Sequence, residues 1–336
     1  MDKNVTMKDI AAALDVSVVS VSKALSGKDG VSEQVRRKII ETSKKLGYIY
    51  DPVKKKEQIE HFNIGIIVAD RFFNDNSFYY SLYRSILVKC AEIGFSGILE
   101  IVMPNDEKKC TTPNLIASNK VDGIIFMGEI SPQYILNITK HELSCVMLDF
   151  YDDVNNGDSI ISDSIYGSYV LTKLLIDTGH KNIRFVGTVP STSSILDRYL
   201  GFCKAMLKNG IRFNAEEIIP DRDSDGRFID LEIPDPLPDA FVCNCDEIAY
   251  LLTEKLKLMG YRIPEDVSVV GFDNYRFATI CSPALTTFSV DMNAMTNAAI
   301  NLLVRKMKGK PYTNGKTIVK GSPVFRNSVS INRLSK

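Results

Sequence analysis

Apolar residues near the start of the chain recur at helical spacing and predict a first helix that follows the cap residue Thr6. The residues of its apolar face are Met7, Ile10, Ala11 and Leu14. The pattern breaks at Asp15, and a second short helix is predicted from Ser17 to Leu25, with Gly27 as its C-terminal cap. Two short helices joined by a tight turn follow from this spacing.

A third helix is predicted between the cap residue Ser32 and Gly47. Its apolar stripe consists of Val35, Ile39 and Leu46. The second helix and the turn before it are then expected to point three apolar residues inward, Val16, Val21 and Leu25. The residues left on the outer face of the second helix are Val18, Val19, Ser20, Ser22 and Lys23. A small all-α core with one exposed helical face is expected.

From Ile64 onward, short apolar strands alternate with amphipathic helices. The first series of predicted strands is Ile64–Val68, Gly97–Ile101, Gly123–Phe126 and Cys145–Leu148. The second series is Ile183–Gly187, Ala240–Cys243 and Val267–Phe272, flanked by helical segments such as Ile248–Met259. This alternation predicts two lobes of parallel α/β structure within one chain.

Length and charge support a small N-terminal module joined to a larger body. The chain has 336 residues, enough for at least two domains. Residues 1–60 hold 12 of its 41 Lys and Arg but 9 of its 41 Asp and Glu, so the N-terminus is mildly basic and the remainder is mildly acidic. A basic module of this kind is expected to face a polyanion.

The seven cysteines are odd in number and lie mostly in apolar stretches, which favours free thiols in a reducing compartment over a disulfide framework. The N-terminus lacks the apolar run of a signal peptide, and no apolar stretch approaches the ~18 residues that span a bilayer. A cytoplasmic protein with no membrane contact is expected.

The outer face of the second helix suits the major groove of double-stranded DNA. Val18 and Val19 have the size to contact thymine methyls, and Lys23 can donate to guanine. The hydroxyl residues expected to bind phosphate oxygens are Thr6, Ser20, Ser22 and Ser32. The alternative is a three-helix packing module whose serines only cap helices.

Polar residues follow several strands of the larger body, where ligands bind in open α/β sheets. They are Asp149, Asp246 and the pair Asp273-Asn274. Carboxylates and amides around a cleft suit the hydroxyls of a sugar or nucleoside. Helix capping is the alternative role for these residues, and we expect it to account for Asp246.

Catalysis and cofactor binding find little support. The histidines, His61, His141 and His180, have no metal-ligand spacing, and no pair of nucleophile and base is visible. Cys243 and Cys245 alternate along a strand and lack a second pair, which makes a zinc site unfavourable. A non-enzymatic protein without cofactor or metal is expected.

The N-terminal motifs resemble the DNA-binding headpiece of the LacI/GalR family of regulators. They are Met7–Ala11, Val16–Gly27, Val31-Ser32 and Leu46–Tyr48. The resemblance implies a helix-turn-helix whose base-reading residues are Val18, Val19 and Lys23. Lys23 replaces an arginine often found there, so a bidentate arginine contact is lost, and Asp15 replaces a turn glycine.

The resemblance extends through nearly the whole chain to the family's two-lobed sensor core. The motifs that carry it are Thr178–Ile183, Asp197–Phe202, Pro264–Asp273 and Pro283–Thr287. By motif position, the implied effector contacts are Asp149, Ser194, Arg198 and Asp273. Arg198 ranks first, as a donor of paired hydrogen bonds to adjacent hydroxyls or a carboxylate.

One departure concerns the position before Asp246, where relatives commonly have Asn and this chain has Cys245. Either Asn244 takes over the amide's role or the effector differs from simple pyranosides. Aromatic residues near strand ends offer stacking surfaces or simply belong to the core; they are Phe72, Phe78, Phe150 and Tyr275.

A second departure lies in the linker, where family members have a hinge helix that wedges a leucine into the minor groove. Here Glu57 stands at that position and follows Lys54, Lys55 and Lys56. Either these lysines bind the DNA backbone without intercalation, or they belong to a solvated linker.

The fold class is therefore an all-α helix-turn-helix headpiece plus an α/β two-lobed, periplasmic-binding-protein-like (type I) sensor domain. The predicted limits are 1–49 for the headpiece, 50–62 for the hinge and 63–336 for the sensor, with one lobe at about 63–160 and 291–320 and the other at about 161–290 and 321–336. The predicted function is a repressor that binds operator DNA as a homodimer under control of a small-molecule effector. A sugar is the expected effector, with a nucleoside or a protein corepressor as the alternative.

Overall fold

The computed structural model describes residues 5–25, 30–48, 61–73, 77–155 and 157–330, and the chain forms two compact units, Met1–Glu60 and His61–Lys336. The α-helices are α1 (Met7–Leu14), α2 (Val18–Leu25), α3 (Glu33–Lys45), α4 (Ser77–Glu92), α5 (Pro104–Lys109), α6 (Asn114–Ala117), α7 (Pro132–Thr139), α8 (Ser164–Asp177), α9 (Ser193–Lys208), α10 (Asp246–Leu258), α11 (Arg276–Ile280) and α12 (Met292–Met307). The strands are β1 (Asn63–Ala69), β2 (Ser96–Val102), β3 (Gly123–Met127), β4 (Ser144–Leu148), β5 (Ser159–Ser162), β6 (Ile183–Val186), β7 (Ala240–Cys243), β8 (Ser268–Val270), β9 (Thr287–Ser289), β10 (Lys316–Val319) and β11 (Ser322–Val324).

The N-terminal unit packs α1, α2 and α3 around a small apolar core. The buried residues of that core are Ile10, Ala11, Val21, Ala24 and Ile39. Helix α1 ends at Asp15, which adopts the left-handed conformation (φ 53°) where a glycine is usual. Val16 and Leu25 pack against the core but are only half-buried, and Gly27 lies outside the described residues.

The prediction that Leu46 closes this core is wrong, because its side chain is 39% exposed. Helix α3 ends at Lys45, and Leu46 is the C-cap residue. The chain then turns at Gly47 (φ 73°), and Tyr48 packs against the core instead. Leu46 therefore marks the end of α3 and is not part of its buried apolar face.

The first lobe of the second unit is a six-stranded parallel sheet in the order β10-β5-β4-β3-β1-β2. Its central strands are runs of apolar residues because helices such as α4 and α12 cover the sheet. The four strands predicted in this region are present. The edge strand β10 and its neighbour β5 were not predicted.

The second lobe contains the three-stranded parallel sheet β6-β7-β8, together with the short antiparallel pair β9-β11. Helices α8 and α9 pack closely against each other in this lobe. The contact depends on Gly201, since a Cβ atom there would lie 2.3 Å from the carbonyl oxygen of Ile165. The chain passes from the sheet of the first lobe into the second lobe between β5 and α8, and returns before α12.

Candidate functional site

All seven residues predicted to bind an effector line one cavity between the lobes, called here the interlobe cleft. The predicted residues are Phe78, Asp149, Ser194, Arg198, Asn244, Cys245 and Asp273. The further lining residues are Phe72, Tyr79, Thr192, Ile195, Arg222, Glu247 and Tyr275. The cavity volume is about 40 Å³, far below the ~300–1,000 Å³ of typical ligand pockets, so this conformation of the cleft has room for no more than a few water molecules.

Arg198 lies at the centre of the cleft on α9 and is 5% exposed. Its Nη1 donates to the backbone oxygen of Asn244 at 2.6 Å, and its Nη2 donates to Oδ1 of Asp273 at 3.2 Å. The guanidinium lies 4.1 Å from the ring centroid of Phe272, and Nε is buried without a hydrogen-bond partner. One donor of this arginine therefore has no partner while the cleft is in this conformation.

Asp149 enters the cleft from the end of β4, and its Oδ2 accepts a hydrogen bond from the hydroxyl of Tyr79 at 2.9 Å. Burial raises the pKa of the Asp149 carboxyl above its ordinary value, against the opposing charge of Arg198. Burial also raises the pKa of Tyr79 well above its ordinary value. The first lobe thus presents a carboxyl group that can accept, or when protonated donate, a hydrogen bond.

Asp273 follows β8 in the second lobe and is 8% exposed. Burial raises the pKa of its carboxyl well above the ordinary value, although the charge of Arg198 acts in the opposite direction. Backbone φ angles are positive at Asp273 (106°), Asn274 (54°) and Asp149 (69°). Such conformations are uncommon outside glycine and cluster at ligand sites, which is consistent with a binding role for this cleft.

The amide of Asn244 is held by a buried ion pair that sequence reasoning did not find. Its Nδ2 donates to Asp221 at 2.8 Å, and its Oδ1 accepts from Arg222 at 3.2 Å. Asp221 and Arg222 form an ion pair at 2.7 Å. Burial alone would raise the pKa of Asp221, but the charge of Arg222 together with hydrogen bonds from Arg222, Thr188 and Asn244 holds the pKa below its usual value.

Sequence reasoning missed this pair because Arg222 lies in an irregular segment before β7, without the apolar periodicity that marks an element. Cys245 lines the cleft as the N-cap residue of α10, and burial raises the pKa of its thiol, which therefore stays neutral. At this point of the cleft lining, Asn244 therefore contributes an amide that the ion pair holds in place, and Cys245 contributes a neutral thiol.

The four aromatic candidates differ in how far they reach the cleft. Phe72, Phe78 and Tyr275 line it, but Phe72 and Phe78 are each only 6% exposed and are also buried in the apolar core, to which Phe150 belongs as well. Ser194 also lines the cleft, where its hydroxyl lies 3.0 Å from that of Thr192.

Two hydrogen bonds connect the lobes beside the cleft. The hydroxyl of Tyr151 donates to Oδ1 of Asp197 at 3.0 Å, and the backbone N–H of Ser193 donates to Oε2 of Glu129 at 2.6 Å. Tyr151 and Glu129 follow strands of the first sheet, while Ser193 and Asp197 belong to α9 of the second lobe. Opening the cleft must therefore break contacts at α9.

The predicted capping role of Asp246 needs correction. The N-cap residue of α10 is Cys245, and Asp246 is the first helical residue. Its carboxylate accepts from the hydroxyl of Thr287 at 2.6 Å and from the backbone N–H of Tyr275 at 2.8 Å. Asp246 therefore ties α10 to the segment that follows β8 and to the first residue of β9.

In the N-terminal unit, several hydroxyl residues predicted to bind phosphate make local contacts. The backbone N–H and the hydroxyl of Thr6 both donate to Asp9, at 2.7 and 2.6 Å. The hydroxyls of Ser17 and Ser20 lie 2.9 Å apart, and Ser32 caps α3. The hydroxyl of Thr6 must therefore leave Asp9 to donate to DNA, whereas that of Ser32 only accepts at the cap and keeps its own hydrogen for donation.

The outer face of α2 is partly accessible, since Val18 is 41% exposed. Lys23 is half-buried, and its Nζ lies 3.0 Å from the position a Cβ atom would take on Gly30. Ser22 is also half-buried, and the predicted contacts Lys54 and Lys55 lie outside the described residues.

Arg36 of α3 supports α2 in a way that sequence reasoning missed. Its Nη1 donates to the backbone oxygens of Lys23 and Ala24, at 3.3 and 3.0 Å. Carbonyl groups at a helix C-terminus lack partners within the helix, so a cation there stabilises it. Arg36 therefore fixes α2 against α3.

The described residues contain no helix that is long and apolar enough to cross a membrane. They also contain no group of three or more His, Cys, Asp or Glu arranged to hold a metal ion.

A helix-turn-helix unit joined to a two-lobed α/β unit with a polar cleft defines a DNA-binding regulator with a ligand-binding domain. Residues 6–51 match the family described as bacterial regulatory proteins, lacI family, and residues 172–329 match the periplasmic binding protein-like domain. The chain belongs to the LacI family of bacterial transcription regulators.

Relatives and solved structures of this family match almost the whole chain. The HTH-type transcriptional repressor PurR of Histophilus somni (strain 129Pt) is 29% identical over 317 residues, covering 91% of this chain and 94% of that protein. The transcriptional regulator CelR–cellobiose complex superimposes with a TM-score of 0.69 at 20% identity, covering 96% and 99% of the two chains. The lac repressor dimer bound to operator and the anti-inducer ONPF gives 0.66 at 21% identity, covering 98% and 100%.

Proposed function

We propose that this chain is a repressor that acts in the cytoplasm as a homodimer and whose affinity for operator DNA is set by an uncharged sugar in the interlobe cleft. The observation that carries the proposal is the buried group formed by Asp149, Arg198 and Asp273. It combines acceptors from both lobes with a central donor. A ligand that contacts all three couples its binding to the arrangement of the lobes.

Hydroxyl groups of a sugar match this set of side chains. Hydroxyls can donate to Asp149 or Asp273, and one hydroxyl can accept from the unpartnered Nε of Arg198 when the cleft opens and exposes it. Hydrogen bonds to charged groups contribute about 1.5–3 kcal/mol each when they are buried. The aromatic residues Phe72 and Phe78 supply apolar surface for the carbon face of the ring.

The charges of the cleft favour an uncharged ligand over a phosphorylated one. The positive charge of Arg222 is compensated by Asp221, and that of Arg198 by Asp273 with further attraction from Asp149. A phosphate would meet these carboxylates without an uncompensated cation to bind it. A neutral sugar avoids this cost.

The proposed DNA-contacting surface is the outer face of α2 with the hydroxyl residues around it. Val18, Val19 and Lys23 are the proposed base-reading residues. The proposed phosphate contacts are Thr6, Ser20, Ser22 and Ser32. Lys54 and Lys55 extend the proposal to the linker, as contacts to the DNA backbone.

Two headpieces are needed because a single one buries too little surface for tight and specific binding. Pairing through a two-fold axis matches the two halves of a palindromic operator. The lac repressor, which has the same fold, is described as a dimer bound to operator. A change in lobe closure would alter the spacing of the two headpieces, with a coupling of about 1–3 kcal/mol.

The test uses the full chain in two stages. Selection from random double-stranded DNA first provides an operator, and fluorescence anisotropy then measures its affinity while sugars and nucleosides are added. The proposal is supported by a sugar that raises the melting temperature and changes operator affinity. Both effects should be lost in Arg198→Ala and kept in Arg212→Ala. Arg212 is exposed, which makes it a suitable control.

Selection that yields no preferred DNA sequence would overturn the proposal that the chain is an operator-binding repressor. Operator binding that responds to nucleosides would overturn the proposal of a sugar effector and favour a nucleoside. Operator binding that responds to none of the small molecules would overturn it and favour a protein corepressor.

A further inference from the structure

The segment that carries Asp273 has an unfavourable backbone conformation. The φ angle is 106° at Asp273 and 54° at Asn274, and neither residue is a glycine. Such conformations persist where surrounding contacts hold them, and they cluster at functional sites. Asp273 is the cleft carboxylate that accepts from Nη2 of Arg198 at 3.2 Å. The contacts that hold this segment therefore determine where one of the proposed effector-binding groups lies.

Hydrogen bonds fix the backbone of the two residues that flank Asn274. The N–H of Asp273 donates to the carbonyl oxygen of Phe288 at 2.8 Å. The N–H of Tyr275 donates to the buried carboxylate of Asp246 at 2.8 Å. Residues 273 and 275 are thus tied to β9 and to α10, which leaves the residue between them to be held by other contacts.

Asn274 is held more strongly through its side chain than through its backbone. Its N–H lies 3.4 Å from Oγ1 of Thr287, which is longer than a typical hydrogen bond. Its Nδ2 donates to Oγ of Ser289 at 3.2 Å, and its Oδ1 accepts from Nη2 of Arg326 at 2.6 Å. The contact from Arg326 is the shortest of the three and comes from a charged donor, so we expect it to be the strongest.

The half-buried Arg326 follows β11 and is itself anchored to the segment before β9. Its Nη1 donates to the carbonyl oxygen of Leu285 at 2.8 Å, and its backbone N–H donates to Oγ1 of Thr286 at 2.9 Å. A guanidinium is planar and its donors are fixed relative to one another, so holding Nη1 also directs Nη2 towards Asn274. Arg326 is therefore a support with a defined geometry.

The described lining of the interlobe cleft includes Asp273 and Tyr275 but neither Asn274 nor Arg326. A variant of either residue thus leaves the lining side chains unchanged. Asparagine adopts the left-handed conformation more readily than most residues, which is the alternative reason for its place here. That role does not require the 2.6 Å bond from Arg326. An effect of Arg326 on effector binding has to pass through the position of Asp273.

We propose that Arg326 is a positioning residue of the effector site. Through Oδ1 of Asn274 it holds residues 273–275 in the conformation in which Asp273 faces Arg198. The inference rests on the proposed function, because it assigns a support to the same cleft. Without this support the segment reaches other backbone conformations, and the carboxylate of Asp273 is no longer presented at one place.

Hydrogen–deuterium exchange of the full chain, with no ligand added, tests the support directly. We expect peptides that contain residues 273–275 to exchange about 10-fold faster in Arg326→Ala, the equivalent of one lost hydrogen bond to a charged group. Arg326→Lys should restore part of the protection, because lysine keeps the charge but lacks the fixed pair of donors. The matched control is Arg305→Ala, since Arg305 is exposed and donates from Nη1 to the backbone oxygen of Pro311 at 3.2 Å.

Calorimetry with glucose, galactose, ribose, cellobiose, maltose and lactose tests the consequence for binding. A sugar that binds the wild-type chain should bind about 10-fold more weakly to Arg326→Ala and with unchanged affinity to Arg305→Ala. Asn274→Gly separates the two roles of the asparagine, because glycine adopts the left-handed conformation readily but has no amide. We expect this variant to bind the sugar as weakly as Arg326→Ala does.

The positioning role is overturned by unchanged exchange or unchanged sugar affinity in Arg326→Ala, or by wild-type affinity in Asn274→Gly, and each of these results leaves the proposed function standing. Faster exchange that extends to β6 and β7 also overturns it, because the lobe as a whole is then destabilised. Absence of binding by every sugar overturns the proposed effector, and the exchange at residues 273–275 then decides alone whether Arg326 holds Asp273.

Discussion

The guanidinium of Arg198 donates from Nη2 to Oδ1 of Asp273 at 3.2 Å, and the two side chains are 6% and 9% exposed. Burial raises the pKa of Asp273 well above its ordinary value despite this contact. The pair therefore does not gain full ionic stabilisation, which is expected where desolvation is costly. A polar pair that is buried next to a cavity and only partly satisfied is suited to binding a ligand, and the unpartnered Nε of Arg198 supports that interpretation.

The first prediction is that Arg198→Ala abolishes the response to effector and leaves binding to operator intact. The variant removes the central donor of the cleft, so effector affinity should fall about 10- to 100-fold, the loss of one hydrogen bond to a charged group. Calorimetry measures the effector, and fluorescence anisotropy measures operator affinity without effector. Asp273→Asn keeps the shape of the pair and should lose less effector affinity than Arg198→Ala. Normal effector binding by Arg198→Ala would contradict the proposed site.

The second prediction concerns Asp246 and the dependence of stability on pH. Burial raises the pKa of Asp246 to about 7, so the folded chain retains a proton that the unfolded chain releases near pH 4. The free energy of unfolding should therefore fall as the pH rises from about 4 to 7, on the order of 2–4 kcal/mol from this group. Asp149 and Asp273 contribute in the same direction because burial raises their pKa values too.

Urea denaturation of the full chain at several pH values between about 4.5 and 7.5 measures the slope of the free energy of unfolding against pH. Asp246→Asn should flatten it, and Asp230→Asn, whose side chain is 87% exposed, should not. Identical slopes in the wild-type chain and Asp246→Asn would show that Asp246 titrates normally.

The third prediction is that Gly201→Ala destabilises the second lobe. The added Cβ atom would lie 2.3 Å from the carbonyl oxygen of Ile165 and 2.9 Å from Cβ of Ser168, so α8 and α9 must move apart. Overpacking of this kind costs about 1–3 kcal/mol. Thermal unfolding measures the effect, with Leu207→Ala as the control because Leu207 is 70% exposed on the same helix. An unchanged melting temperature would mean that the helices can separate without cost.

The central strands of both lobes could be predicted from sequence because they are continuous apolar runs such as Ile64–Val68. The edge strand β10 could not, since three of its four residues are exposed and its place depends on pairing with β5. Local periodicity carries no information about a strand that only tertiary contacts define. The same limit applies to β5, β9 and β11, which are three or four residues long.

The side chains of the candidate site could likewise be predicted from the sequence only in part. Asp149 and Asp273 follow predicted strands, and Arg198 belongs to a family motif, so sequence reasoning found all three. Arg222 is in an irregular segment, and its partner Asp221 is fully buried although nothing in the local sequence predicts burial. The side chains that hold Asn244 were therefore visible only in three dimensions.

The last prediction is that Lys23→Ala weakens operator binding and relaxes base preference. Lys23 of α2 is half-buried, and Arg36 fixes the carbonyl end of that helix through the backbone oxygens of Lys23 and Ala24. Removing a lysine that reads a base weakens operator binding by about 1–3 kcal/mol, and the effect is concentrated at one base pair. A lysine that binds only phosphate lowers affinity uniformly and reduces the salt dependence by about one ion.

Anisotropy with operators carrying single base-pair changes separates these two outcomes. Lys23→Arg should strengthen preference for guanine at the same position, because arginine can donate two hydrogen bonds to its acceptors. Lys38→Ala, on an exposed face of α3, is the matched control for loss of one positive charge. If Lys23→Ala weakens all operators equally, as Lys38→Ala would, Lys23 is a phosphate contact and the base-reading surface reduces to Val18 and Val19.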